Sequence, residues 1–218
     1  MIAEPISERE WRMALFNADG SRAEMSGNGI RCFAQAVADG AEGLFTVVTD
    51  AGVRSVEVVA TDDPLTIVAS VDMGLVRPGR ASSHWASVGA HPDRPVEHLD
   101  LGNPHTVVGV GDVHSVDLMA IGRQVPDVNL EIVAPGPEPY AVTMRVHERG
   151  AGITEACGTG ACASAFSAVA WGLVPSNTAE VVVHMDGGDA TVRFDEHDRN
   201  RVTLVGPATY IGSAEVPL

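Results

Sequence analysis

Apolar and polar positions alternate along most of this chain, and the alternation is broken twice by a longer helical pattern. Residues 11–16 read as a strand that enters Asn17-Ala-Asp19-Gly20-Ser21, a dense turn signal, and 29–37 read as a helix. Residues 45–49, 53–60 and 65–72 are rich in β-branched side chains and are separated by Gly and Asp-Asp-Pro turns, so they predict three more strands. Residues 73–83, with Pro78 and Gly79, are the expected junction between two halves. The second half predicts strands near Ala86, over 105–110 and over 140–146, a helix from Gly158 to about Trp171, and closing strands over 181–184, 190–194 and 202–205.

Many strands for each long helix predict an α+β fold of two pseudo-symmetric α/β halves, each a mixed sheet or barrel around a central helix. The halves are expected to comprise 1–72 plus 207–218, and 73–206.

Composition narrows the function classes. A hydrophobic content of 45% supports a buried core, while a net charge of −15 leaves no basic stripe for nucleic acid or an anionic membrane. The longest apolar run, near 166–174, is too short to span a bilayer, and the first ten residues lack a basic start and an apolar centre. A cytoplasmic location is therefore expected. Three cysteines do not make a disulfide framework.

Two stretches carry the candidate chemistry: Glu24-Met-Ser26-Gly27-Asn28-Gly29-Ile-Arg-Cys32 and Glu155-Ala-Cys157-Gly158-Thr159-Gly160-Ala-Cys162. In each, a hydroxyl or thiol precedes spaced glycines and an Ala-rich helix. Glycines at a helix start let backbone amides converge on an anion, and the helix dipole adds to the same point. Two such starts facing one ligand suit chemistry on both faces of one carbon. A thiol at Cys157 is expected to ionise near neutral pH there. Cys32 and Cys162 are expected to pack in the core, and the scattered His and Cys offer no metal site.

Other readings stay open at this level. Gly158-x-Gly160-x-x-Ala163 also satisfies a dinucleotide-binding fingerprint, with Asp186 as a ribose ligand, but 147–156 intervene between the expected strand and the glycines. Gly102-Asn103-Pro104-His105 delivers an amide and an imidazole beside a strand. Asn129 and Glu148-Arg149-Gly150 are turn formers or substrate contacts.

Taken together, Phe16-Asn17-Ala-Asp-Gly-Ser21, the two glycine motifs, Leu101-Gly-Asn-Pro-His105, Val128-Asn129, His147-Glu148-Arg149-Gly150 and Gly206-Pro-Ala208 resemble the diaminopimelate epimerase family, in family order and over nearly the whole chain. The resemblance implies α-proton abstraction and return, without a cofactor or metal, between LL- and meso-diaminopimelate in lysine biosynthesis. It places Cys157 at one catalytic position. Asn17, Asn103, Asn129, Glu148 and Arg149 would hold the substrate, and Gly27-Asn28 with Gly158-Thr159 would hold its reacting carboxylate. His105 is paired with the first catalytic position and Glu148 with the second. A homodimer is the assembly left open.

Two departures from the family pattern matter. Ser26 stands where the family has its first cysteine, and an unassisted hydroxyl is far too basic to ionise at neutral pH. Family members also begin with a further strand-rich segment, so the first half is expected to be incomplete. A one-base isomerase or dehydratase of the same fold, and a catalytically degenerate substrate-binding protein, are the alternatives.

Overall fold

The computed structural model describes residues 1–16, 20–89, 91 and 93–215. The first half runs β1 (Ile2–Pro5), β2 (Glu10–Phe16), β3 (Arg22–Ala23), α1 (Gly27–Ala38), β4 (Gly43–Thr49), β5 (Gly52–Ala60) and β6 (Thr66–Leu75). The second contains β7 (Arg77–Pro78), β8 (Val96–Asp100), β9 (Pro104–Gly109), α2 (Leu118–Gly122), β10 (Asn129–Pro135), β11 (Ala141–Glu148) and β12 (Gly152–Thr154). It closes with α3 (Gly158–Ala170), β13 (Glu180–Met185), β14 (Gly188–Phe194) and β15 (Arg201–Thr209). This is the expected α+β architecture.

The same unit occurs twice. In the first half, β2 takes β1 and the short β3 as antiparallel partners, and α1 crosses over to β4, which lies parallel to β2 and continues antiparallel into β5 and β6. In the second, β11 takes β10 and the short β12, α3 crosses to the parallel β13, and β14 and β15 follow antiparallel. Pairing of β15 with β6 along Thr66–Leu75 joins the two units into one continuous sheet.

The two helices differ in burial. On α1 an apolar stripe of Ile30, Phe33, Ala34 and Ala38 faces the sheet. On α3 nearly every residue from Gly158 to Ala168 is buried, which its small Gly, Ala, Ser and Cys side chains allow at close backbone approach. One main core holds both helices, and a second cluster around Val108, Leu118, Leu130 and Ile132 fills the far face of β9 and β10.

Three expectations are corrected or extended here. Around Ala86 there is a single 3-10 turn (Trp85–Ser87), not a strand, because Asp127 accepts hydrogen bonds from Ser82 and Ser83 and curls the backbone. Cys32 is exposed, since it falls off the stripe that α1 buries, whereas Cys162 is fully buried as expected. Strands β1, β3, β7, β8, β10 and β12 and helix α2 have no counterpart in the predicted pattern. Among the described residues, no helix is long and apolar enough to cross a membrane.

Candidate active site

Two helix starts meet at one point. Ser26 is the N-cap of α1, with extended backbone and its Oγ accepting from the Gly29 amide at 3.0 Å. Cys157 is the N-cap of α3 in the same conformation, its Sγ accepting from the Gly160 amide at 3.4 Å. Each cap carbonyl takes the next helical bond, from Ile30 and Ala161. The amides of Gly27, Asn28, Gly158 and Thr159 therefore remain without a partner among the described residues.

The helix ends touch through their glycines. A Cβ built on Gly27 would lie 2.7 Å from the Cα of Gly158, and one built on Gly158 would lie 2.7 Å from the Cα of Gly27. No L side chain fits at either position without parting the helices, so glycine is required by this approach. Asn28 ties the two ends together, its Nδ2 donating to the Ala156 carbonyl at 2.9 Å, while Arg31 holds its Oδ1 at 3.0 Å.

Around this contact lies a cavity of about 220 Å³ lined by Leu15, Phe16, Met25, Asn103, Glu148 and the two cap motifs. Ser26, Gly27, Asn28, Asn103, Glu148, Cys157, Gly158 and Thr159, expected to act together, all line it. Asn17 lies outside the described residues. Of the other expected residues, His105 and Asn129 stand behind the wall and Arg149 stands at the rim. His105 is fully buried and spends both ring nitrogens, Nδ1 on Glu131 at 2.7 Å and Nε2 on Asn103 at 3.0 Å. Asn129 bridges the Pro104 carbonyl and the Arg149 amide, and so fixes the turn that presents Glu148. The Arg149 guanidinium sits 3.6 Å from the carboxylate of Glu24 on the facing half.

The thiol of Cys157 is the point at which the local electrostatics depart from expectation. Burial pushes its pKa well up, and the carboxylates of Glu148 and Glu131 push it further. Hydrogen bonds from Thr159 and Gly160 pull it down by less. Cys157 therefore rests as a thiol in the free protein, not as the thiolate expected from its helix-start position, because desolvation and two nearby carboxylates outweigh the dipole. Glu131 is the residue that reading by motif missed. It sits fully buried in a strand whose other residues are uncharged, and a lone buried charge signals a buried partner.

Comparison with known proteins agrees with the geometry. A family model described as Diaminopimelate epimerase matches residues 1–77 and 98–211. The chain is 37% identical to a diaminopimelate epimerase of Desulfitobacterium hafniense, over 95% of its own length and 78% of that protein's. A Streptomyces coelicolor protein of the same description is 36% identical, over 96% and 74%. Among solved structures, a predicted epimerase from Pseudomonas aeruginosa superposes with a TM-score of 0.70 at 15% identity, covering 96% of this chain and 82% of that one. A hydroxyproline epimerase from Agrobacterium vitis gives 0.66 at 14%, covering 95% and 71%. These two likenesses establish the fold. The chain belongs to the diaminopimelate epimerase family.

Proposed function

We propose that this member of the family is an isomerase that interconverts LL- and meso-diaminopimelate in lysine biosynthesis, using its own side chains as acid and base, and that it works in the cytoplasm. The observation that carries the reading is the pair of helix starts, capped by Ser26 and Cys157, that meet over one cavity through Gly27 and Gly158.

Removing a proton from the carbon next to a carboxylate builds negative charge on that carboxylate. Four amides at two helix N-termini, without partners among the described residues, are placed to stabilise that charge more in the transition state than in the ground state. Cys157 borders the cavity with a thiol able to give or take a proton once a bound cationic amino group offsets Glu148 and Glu131. Ser26 holds the equivalent place on the other helix. Its hydroxyl exchanges protons far less readily, so the two faces of the α-carbon are served unequally. Glu148 lines the cavity and is held by the Thr154 hydroxyl, and it is suited to the substrate's ammonium group.

The test is incubation of LL- and of meso-diaminopimelate with the protein in deuterium oxide, followed by NMR of the α-positions and chiral separation. Label should enter at one α-carbon and inversion should follow more slowly. Absence of both label and inversion, with Cys157 intact, would favour the substrate-binding alternative.

A further inference from the structure

Behind Cys157 runs a string of hydrogen bonds that begins on a buried acid. The Glu131 carboxylate is fully buried on β10, with Oε1 at 2.7 Å from His105 Nδ1 and Oε2 lacking a partner among the described residues. The parallel pairing of β9 with β10 sets Asn129 beside His105, so Glu131, two residues on, shares the face of the sheet from which His105 projects. That face lies under the first turn of α3: a Cβ built on Gly160 would stand 2.8 Å from Glu131 Oε1 and 3.3 Å from Cys157 Sγ.

The direction of the string follows from donor chemistry. Asn103 Oδ1 only accepts, so the His105 Nε2 that meets it at 3.0 Å carries a hydrogen. Nδ1 and Glu131 Oε1 then share one proton between them. Asn103 Nδ2 donates to Thr159 Oγ1 at 3.2 Å. Thr159, having accepted there, has its own hydrogen free for Cys157 Sγ at 3.5 Å. The Gly160 amide is the second donor to the same sulfur, at 3.4 Å. With two donors aimed at it, the sulfur is an acceptor on the protein side, and its S–H hydrogen is left for the cavity.

We propose that Glu131 and His105 are positioning residues that fix the direction of this string, so that Thr159 donates to Cys157 and the thiolate formed during proton transfer is met by two donors already in place. This rests on the reading of Cys157 as the proton-transferring thiol. Its effect runs opposite to that of the Glu131 charge alone, which disfavours the thiolate.

The opposition in sign supplies the test, made without substrate so that it stands apart from the epimerase reading. Thiolate absorbance near the ultraviolet edge is titrated in the full chain and corrected with Cys157→Ala. Thr159→Val should move the Cys157 midpoint up by about one pH unit, a tenfold loss of thiolate at fixed pH, as expected for a hydrogen bond to a charged group. Thr159→Ser should restore it. Glu131→Leu should also move the midpoint up, even though it removes a negative charge. Should that variant not fold, Asn103→Leu cuts the string one link later with the same expected sign. An unchanged midpoint in Thr159→Val, or a downward shift in Glu131→Leu or Asn103→Leu, overturns the proposal. Upward shifts in a protein that fails to label diaminopimelate would keep the string and reject the epimerase reading.

Discussion

The starts of α1 and α3 are built alike and equipped differently. Both have an extended N-cap residue whose side chain accepts from the third helical amide, and both leave two amides without a partner among the described residues beside the same cavity. Yet one cap is a half-buried serine on an amphipathic helix. The other is a buried thiol on a helix enclosed by protein, backed by Thr159, Asn103, His105 and Glu131. Binding of an anion needs only the shared part, the amides and dipoles. Proton transfer needs what is not shared. Under the proposed function, the shared amides are the part suited to hold a carboxylate and the unshared side chains the part suited to proton transfer at its neighbour.

The largest expected effect comes from making the two ends chemically equal. Loss of one acid/base partner costs on the order of 10² to 10⁴ in rate. Ser26→Cys should raise interconversion of LL- and meso-diaminopimelate by a factor in that range, measured as initial rates of inversion. Cys157→Ser should remove inversion and solvent exchange together. Equal rates for the parent and Ser26→Cys would mean that serine already serves its face of the carbon, and the inequality of the two ends would lose its functional meaning.

Next in size is the contact that makes the ends one site. Gly27→Ala or Gly158→Ala places a methyl 2.7 Å from the opposite backbone, with Leu204 Cδ2 at 3.0 Å or closer, so the helices must part. Overpacking of this kind costs about 1–3 kcal/mol. Thermal unfolding should register that loss, and inversion should fall by more than stability does, because misplacement by an ångström weakens catalysis disproportionately. A stable variant with full activity would show that the close approach is incidental to the chemistry.

How much of this was legible beforehand differs between the two ends as well. Spaced glycines after Ser26 and Cys157 announce helix starts, and repetition of the pattern announces two halves, because both signals are local. Burial of Cys157 is not local. Glu131 reaches the site across a parallel strand pair, and β10 is buried on both faces, so its residues show no alternation from which a strand could be read. For the same reason the thiol's state does not follow from its motif: the helix dipole is visible in sequence and the two carboxylates that oppose it are not. The exposure of Cys32, by contrast, could have been read from the stripe Ile30, Phe33, Ala34 and Ala38, which it falls outside.

A third prediction uses the cysteines to compare the ends directly. At neutral pH, limiting iodoacetamide should label exposed Cys32 on α1 ahead of Cys157 and Cys162 on α3, because the latter two are buried and their thiols are pushed up, that of Cys162 to about 12. The sign for stability follows. A thiol whose pKa is higher folded than unfolded favours the folded state at pH values below its unfolded value of about 8.5. That contribution is lost as pH climbs from there toward 12. Replacing Cys162 with Ala should therefore flatten the alkaline limb of a stability-against-pH curve. Label found first on Cys157 at neutral pH would reverse the ranking and restore a resting thiolate.

The smallest effect is expected where the two halves meet at the rim. Glu24 precedes the Ser26 cap, Arg149 follows the strand that carries Glu148, and their charged groups stand 3.6 Å apart with both side chains about half exposed. Solvent screens such a pair, and exposed pairs contribute about 0–1 kcal/mol. For a chain of this size that is a shift of no more than a few degrees in Tm for Glu24→Gln, smaller still in high salt. Activity should separate the two members. Family resemblance gives Arg149 a substrate contact, so Arg149→Gln should raise KM for diaminopimelate, whereas Glu24→Gln releases the guanidinium and should leave KM the same or lower. A large loss of stability that persists in high salt would make this pair a structural tie between the cap segments. The likeness of the two helix starts would then depend on a clasp at the rim as well as on Gly27 and Gly158.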